Sequence, residues 1–119
     1  MIVKAKSCHI FSDVDGTLLA GWEPPQVNMD AVARFIQAGG KFSLATGRSI
    51  ALAKKIALQI GANAPCILLD GAVIYDFSQE ELIDYTPLPA GMVGFVKAII
   101  AQFSKVAISV STAFDAYEA

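Results

Sequence analysis

Two aspartates separated by one residue, Asp13 and Asp15, follow an apolar run near the start of the chain, and Gly16 and Thr17 come directly after them. Like charges held this close repel each other, so the pair needs a compensating partner. Mg²⁺ would serve, because it prefers oxygen ligands and keeps several of its waters. With Mg²⁺ and a phosphate ester bound, one ionised carboxylate could attack phosphorus while its protonated neighbour gives a proton to the leaving alcohol.

The two residues after the aspartates suit a loop that binds phosphate. Gly16 allows the backbone to come close to a bound phosphate, and the Thr17 hydroxyl can hydrogen-bond locally and hold the loop. The alternative is an ordinary acidic turn after a strand, because Asp and Gly are both favoured in turns.

A second polar group, Thr46, Gly47 and Arg48, stands between a predicted strand and a predicted helix. It offers a hydroxyl, an accessible backbone N–H and a fixed positive charge, and the helix that follows adds a partial positive end. Together these groups would make a phosphate cradle. Taken alone, the same residues also fit a capped helix start with a solvent-exposed arginine.

Strands and helices alternate in the hydrophobic pattern of the first part of the chain. The predicted strands cover 8–12, 41–45 and 65–69, and the predicted helices cover 27–38 and 49–60. Ser49 is a plausible N-cap of the second helix, and Gly61 lies just past its end. This order predicts an α/β fold in which a parallel sheet is covered by helices on both faces. Ligands bind at the carboxyl ends of such strands, where both polar groups fall.

The pattern changes after residue 71. Two predicted strands, 72–76 and 82–88, surround a polar turn and indicate a hairpin. A helix over 90–103, opened by Pro89, and a last strand over 105–111 follow, before a polar tail. We therefore predict two units, 1–71 with both polar loops and 72–119 with the hairpin, helix and strand.

Composition excludes several classes of protein. Of the 119 residues, 55% are hydrophobic and 17% charged, and the net charge is −2, which disfavours binding to nucleic acid or an anionic membrane. Lys, Asp, Gly or Pro interrupts every apolar stretch before the ~20 residues that a membrane span needs. The first residues lack a secretory signal's apolar region, so we expect a cytoplasmic protein. Cys8 and Cys66 lie in separate apolar runs, which predicts buried, reduced thiols.

The stretches "DVDGTLL", "ATGRS" and "LLDGAVIYD" together resemble the haloacid dehalogenase superfamily, specifically its Cof-type phosphatases, in order and spacing. The resemblance implies a Rossmann-like parallel sheet with flanking helices, a partial core over 1–71, followed by the beginning of an α+β cap over 72–119. It implies hydrolysis of a small sugar phosphate or similar metabolite.

The resemblance also implies residue roles. Asp13 would be the nucleophile that forms an aspartyl-phosphate, and Asp15 the general acid and base. The Asp13 carboxylate and the Asp15 backbone carbonyl would bind Mg²⁺. Thr46 would bind phosphate, with Gly47 and Arg48 flanking it.

One departure from the family pattern lies in the third stretch, where Asp70 and Gly71 replace the usual Asn-Gly. These two residues are candidate substrate contacts. An ionised aspartate only accepts hydrogen bonds, and it adds negative charge near a phosphate site. The alternative role for Asp70 is a turn residue that caps the third strand.

A second departure concerns missing motifs. The family's charge-balancing lysine and its acidic Gly-Asp motif have no match here, because Lys54, Lys55, Lys97 and Lys105 stand in other contexts and are predicted to be solvated. We therefore expect a fragment of a longer protein, or a half that pairs with another chain. In either case the first strand, with His9 in it, would be an exposed apolar edge, open to a second copy or to the missing C-terminal half.

Two other functions remain open at this point. One is a non-catalytic module that binds phosphate or Mg²⁺ and acts with a partner chain. The other is a phosphomutase of the same fold, which would depend on a bisphosphate activator.

Overall fold

Strands and helices alternate in the first half of the fold. A computed structural model describes residues 5–103, 105–114 and 116–118. Its strands are β1 His9–Ser12, β2 Lys41–Leu44, β3 Cys66–Leu68, β4 Val73–Asp76, β5 Glu81–Tyr85, β6 Ser109–Ser111 and β7 Ala116–Glu118. Its α-helices are α1 Gln26–Gln37, α2 Ile50–Ile60 and α3 Met92–Gln102, and short 3-10 turns occupy Ala5–Ser7 and Leu69–Gly71.

Parallel pairing brings the carboxyl ends of three strands to one edge. β1 and β2 run parallel, with His9 opposite Lys41. A parallel bridge between Ala45 and Ile67 continues the pairing to β3. The polar loops that follow β1 and β2 therefore lie next to each other, as the α/β pattern predicted.

The predicted hairpin after residue 71 is confirmed. β3, β4 and β5 form one antiparallel group in the order β3-β4-β5, with Cys66 opposite Tyr75. The Asp76 carboxylate accepts hydrogen bonds from the backbone N–H groups of Ser78 and Gln79 and so closes the turn between β4 and β5. Pairing thus crosses residue 71, and the division into 1–71 and 72–119 stays a prediction.

Both predicted helices of the first half form, and cap residues explain the two ends of α2. The Ser49 hydroxyl accepts from the backbone N–H of Leu52 at the start of α2, and Gly61 ends the helix with a φ of 75°. Ile56 and Ile60 of α2 are buried. They join a core between the helices and the sheet that includes Val14, Leu19, Val32, Phe42, Leu44, Cys66 and Leu68.

The apolar residues at 8–12 favour a buried strand, but β1 is largely exposed. Ile10 is 42% exposed and Phe11 50% exposed, because β2 is the sole strand partner of β1 among the residues described and no other described element packs extensively against it. The expected exposed apolar edge is therefore present. His9 lies on it as an exposed residue, with Nε2 2.8 Å from the Ser43 hydroxyl.

The two thiols differ. Cys66 is buried as predicted, and burial raises the pKa of its thiol. Cys8 is only half-buried, so its predicted burial is wrong, and the reason is its position beside the exposed edge. All four lysines that matched no motif are exposed, as predicted.

Three further predictions, all for the C-terminal region, are corrected by the structure. The strand predicted over 105–111 shortens to Ser109–Ser111. The segment predicted as a polar tail contains β7, which pairs antiparallel with β6. α3 begins at Met92 after Gly91 and not at Pro89, whose carbonyl oxygen accepts from the Met92 N–H.

None of the helices in the described ranges is long and apolar enough to cross a membrane.

Candidate active site

The loop after β1 is anchored by the residue between its two aspartates. Val14 is fully buried, whereas Asp13 and Asp15 on either side of it are exposed. The Val14 carbonyl oxygen accepts from the backbone N–H of Leu19 at 2.9 Å, and the Gly16 N–H donates to the Leu19 carbonyl at 3.1 Å. Gly16 has a φ of 80°, which glycine adopts without strain. The buried valine therefore fixes a loop that presents both carboxylates to solvent.

Thr17 orients the first of these carboxylates. Its hydroxyl donates to Oδ2 of Asp13 at 2.9 Å, the local bond that the sequence predicted. The bond restricts rotation of the Asp13 carboxylate and leaves Oδ1 to face a ligand.

The loop after β2 presents a hydroxyl in a similar way. Thr46 is buried, and its backbone N–H donates to the Ile67 carbonyl at 3.0 Å. Its hydroxyl oxygen accepts from the backbone N–H of Arg48 at 3.2 Å. Since a hydroxyl carries one donor besides its lone pairs, Thr46 can still donate to a phosphate oxygen.

A bidentate ion pair joins the two loops. Arg48 Nη2 lies 2.6 Å from Asp15 Oδ1, and Arg48 Nε donates to Oδ2 at 2.9 Å. The hydrogen bonds from Arg48 hold the pKa of Asp15 below its ordinary value, and the same bonds raise the pKa of Arg48. The two polar motifs therefore meet at one edge of the sheet, as predicted.

Five of the predicted site residues surround one cleft of about 300 Å³: Asp13, Thr46, Gly47, Asp70 and Gly71. Asp15, Gly16 and Arg48 stand beside the cleft and do not line it. Ala45 and Ile67 complete its wall. Neither residue was predicted as a site residue, although Ala45 stands at the carboxyl edge of β2 and Ile67 within β3, where such a site is expected.

Asp70 reaches the cleft through an unusual backbone. Leu69, Asp70 and Gly71 all have positive φ, and Asp is one of the few non-glycine residues that tolerate this region. The Asp70 N–H donates to the Thr46 carbonyl at 3.4 Å. A Cβ added to Gly47 would lie 2.9 Å from Asp70 Oδ1, so the carboxylate stands directly against that glycine.

Two oxygen donors in this site suit a hard cation. The residue types suggest that the Asp13 and Asp15 carboxylates together bind Mg²⁺. Arg48 binds both carboxylate oxygens of Asp15, however, so that carboxylate is a poor ligand. The Asp13 carboxylate and the Asp15 backbone carbonyl remain, and oxygen donors of this kind fit part of a Mg²⁺ shell completed by water and phosphate. Within the described ranges, no cluster of three or more His, Cys, Asp and Glu residues could hold a metal.

The chain is similar to several known proteins. The family profile of the haloacid dehalogenase-like hydrolases matches residues 10–118. A Mycoplasma pneumoniae protein named "Putative phosphatase" is 33% identical over 100 residues, which cover 82% of this chain and 36% of that protein.

Two solved structures share the fold. A protein from Bacteroides thetaiotaomicron, studied among phosphatases of the haloalkanoate superfamily, superposes with a TM-score of 0.79 at 22% identity, over 93% of this chain and 41% of the other. A subclass IIB sugar phosphatase superposes with a TM-score of 0.78 at 21% identity, over 94% of this chain and 44% of the other. The chain thus spans well under half the length of these relatives. Because the family profile matches almost all of it, the chain belongs to the haloacid dehalogenase-like hydrolase family.

Proposed function

We propose that the protein containing this chain is a Mg²⁺-dependent phosphatase that hydrolyses a small sugar phosphate or a similar metabolite through an aspartyl-phosphate. The observation that supports this most is the pairing of an oriented carboxylate, Asp13, with the Thr46 hydroxyl and Gly47 in one cleft. Such a cleft can bind a phosphate and bring a nucleophile to its phosphorus.

In the first step, Oδ1 of Asp13 attacks phosphorus and the bond from phosphorus to the alcohol oxygen breaks. The Asp15 carboxyl group gives its proton to that oxygen, and the alcohol leaves. In the second step, a water oxygen attacks phosphorus while the ionised Asp15 takes a proton from the water. The bond from Asp13 to phosphorus breaks, and phosphate departs with Asp13 regenerated.

The Asp13 carboxylate and the Asp15 carbonyl would hold Mg²⁺, which supplies positive charge against the phosphate oxygens. The Thr46 hydroxyl would donate to one phosphate oxygen, and the Gly47 N–H is available to another. Thr17 keeps Asp13 in the orientation for attack.

Arg48 must release Asp15 before the first step, because a general acid needs its proton and the hydrogen bonds from Arg48 hold the pKa of Asp15 below its ordinary value. We propose that the substrate's phosphate draws the guanidinium away, since Arg binds phosphate in the same bidentate way as it binds carboxylate. Asp15 then gains a higher pKa and takes up the proton that it delivers to the leaving alcohol.

The test is hydrolysis of p-nitrophenyl phosphate with and without Mg²⁺. Asp13→Asn should abolish turnover, and acid quenching should trap a phosphorylated wild-type protein but no phosphorylated variant. Asp30→Asn is the matched control, because Asp30 lies on α1 and its carboxylate bonds only to the Gln26 side chain among the described residues. Full activity in Asp13→Asn would contradict the proposal.

A second candidate is a module that binds phosphate or Mg²⁺ without turnover and acts with a partner chain. The small number of acidic ligands around Asp13 in the described ranges favours it. Phosphate binding that requires Thr46, in a protein of full length that hydrolyses no ester, would identify this alternative. For either function we propose a cytoplasmic location, with the edge of β1 completed by a second copy or by the C-terminal half.

A further inference from the structure

Asp70 stands where two spaces join. Besides the cleft, a cavity of about 990 Å³ lies among β5, α3 and the segment that leads into β6. Gly47 and Asp70 line both spaces. The other described residues around the larger cavity are mostly apolar, including Leu82, Phe95 and Ile99, and Asp70 is the sole charged residue among them. A group that extends from a bound phosphate toward this cavity would therefore pass the negative charge of Asp70.

Asp70 is exposed, and its carboxylate has no partner within the described part of the chain. Its backbone has a φ of 54° and is tied to Thr46 by the N–H bond, while Gly47 provides the space that the carboxylate occupies. No hydrogen bond or ion pair from another described residue reaches its oxygens. As a carboxylate it can only accept, so a phosphate oxygen cannot satisfy it.

This arrangement disfavours a phosphate ester that brings nothing but its own negative charge. The repulsion between the carboxylate and the phosphate weakens the binding of every ester. An ester that carries a donor close to its phosphate recovers that loss by a hydrogen bond to Asp70, and no other described residue around the larger cavity is charged. Once a bound ester covers the carboxylate, an analogue without the donor leaves that carboxylate unpaired.

We propose that Asp70 is a specificity-determining residue, which selects phosphate monoesters whose alcohol part carries a hydroxyl or ammonium donor beside the ester oxygen. The proposal rests on the phosphatase function proposed above. The preference should be stronger with this chain's Asp than with a neutral Asn at the same place, because the Asn side chain both donates and accepts and carries no charge.

The test uses three esters of nearly equal size: 2-hydroxyethyl phosphate, 2-aminoethyl phosphate and n-propyl phosphate. For the protein that contains this chain, kcat/KM for at least one of the first two should exceed that for propyl phosphate about tenfold or more. Preference for the hydroxyl ester points to polyol or sugar phosphates, and preference for the amine ester points to phosphorylated amino alcohols.

Asp70→Asn should shrink the preference, and Asp70→Gly should remove it, while thermal unfolding confirms that both variants fold. Asn and Gly both tolerate the positive φ, so neither substitution strains the backbone. Equal kcat/KM for all three esters in the wild type, or an unchanged preference in both variants, would overturn the role of Asp70 and leave the phosphatase function standing. Failure to hydrolyse any ester, p-nitrophenyl phosphate included, would overturn both.

Discussion

Arg48 binds both carboxylate oxygens of Asp15, at 2.6 Å from Nη2 to Oδ1 and at 2.9 Å from Nε to Oδ2, and so links loops that are 33 residues apart in the sequence. Arg48 is therefore bonded to the residue that we propose as the general acid and base. In the proposed mechanism, proton transfer by Asp15 and the binding of phosphate both depend on the Arg48 side chain.

Arg48→Gln should raise the pKa of Asp15, because the substitution removes the hydrogen bonds that lower it. The folded-state pKa of Asp15 lies below the unfolded value of 3.8, so the pair's contribution to stability is complete above pH 3.8 and disappears as the pH falls through the folded pKa. An NMR titration of the Asp15 carboxyl carbon measures this. Arg34→Gln, on the exposed side of α1, is the control and should leave the titration unchanged; equal effects of the two substitutions would contradict the prediction.

Phosphate should raise the pKa of Asp15 in the wild type if it takes Arg48 away from that carboxylate. The same NMR titration, with and without saturating inorganic phosphate and Mg²⁺, measures the change. The rise should be smaller in Arg48→Gln, where there is no guanidinium to exchange and only direct repulsion by the phosphate remains. An Asp15 pKa in the wild type that stays low with phosphate bound would show that Arg48 does not move between the two partners.

Thr17→Val should lower kcat/KM for p-nitrophenyl phosphate about tenfold, because Asp13 loses the bond that orients it and bonds to charged groups are among the stronger ones. Thr17→Ser keeps a hydroxyl and should restore most of the activity. Steady-state kinetics of the two variants provide the measurement. A valine variant as active as the serine variant would show that the Thr17 hydroxyl does not position Asp13.

Two glycines should respond to alanine in opposite directions. Gly61 ends α2 with a φ of 75°, where a Cβ is strained, so Gly61→Ala should lower the free energy of unfolding by about 1 kcal/mol. Gly94 lies inside α3 with open space around its Cα, so Gly94→Ala should raise that free energy by about 0.5–1 kcal/mol. Urea denaturation of both variants measures the difference. Similar shifts of the same sign would contradict the backbone argument.

The sequence predicted the site's place in the fold because each polar loop directly follows an apolar strand, and the second loop also precedes a helix that Ser49 caps. It could not predict that Arg48 would bind Asp15, since both side chains equally suit a ligand and only their distance in space decides. The exposure of Phe11 was hard to predict for a related reason: burial of a strand depends on the elements that cover it as well as on its own residues. β7 escaped prediction because three residues are too few to show a period.

Pairing along the exposed edge of β1 affects how rigidly the proposed nucleophile, Asp13, is held. β1 leads directly into Asp13, and on its paired side the Ser12 carbonyl accepts from the Ala45 N–H at 2.8 Å. A strand paired with the other side of β1 would hold the loop that carries Asp13 from both sides. If the strand comes from a second molecule, specific activity should fall on dilution, because the pairing then follows mass action. If the strand belongs to the same polypeptide, specific activity is independent of concentration, and the rate of the chemistry is set within a single molecule.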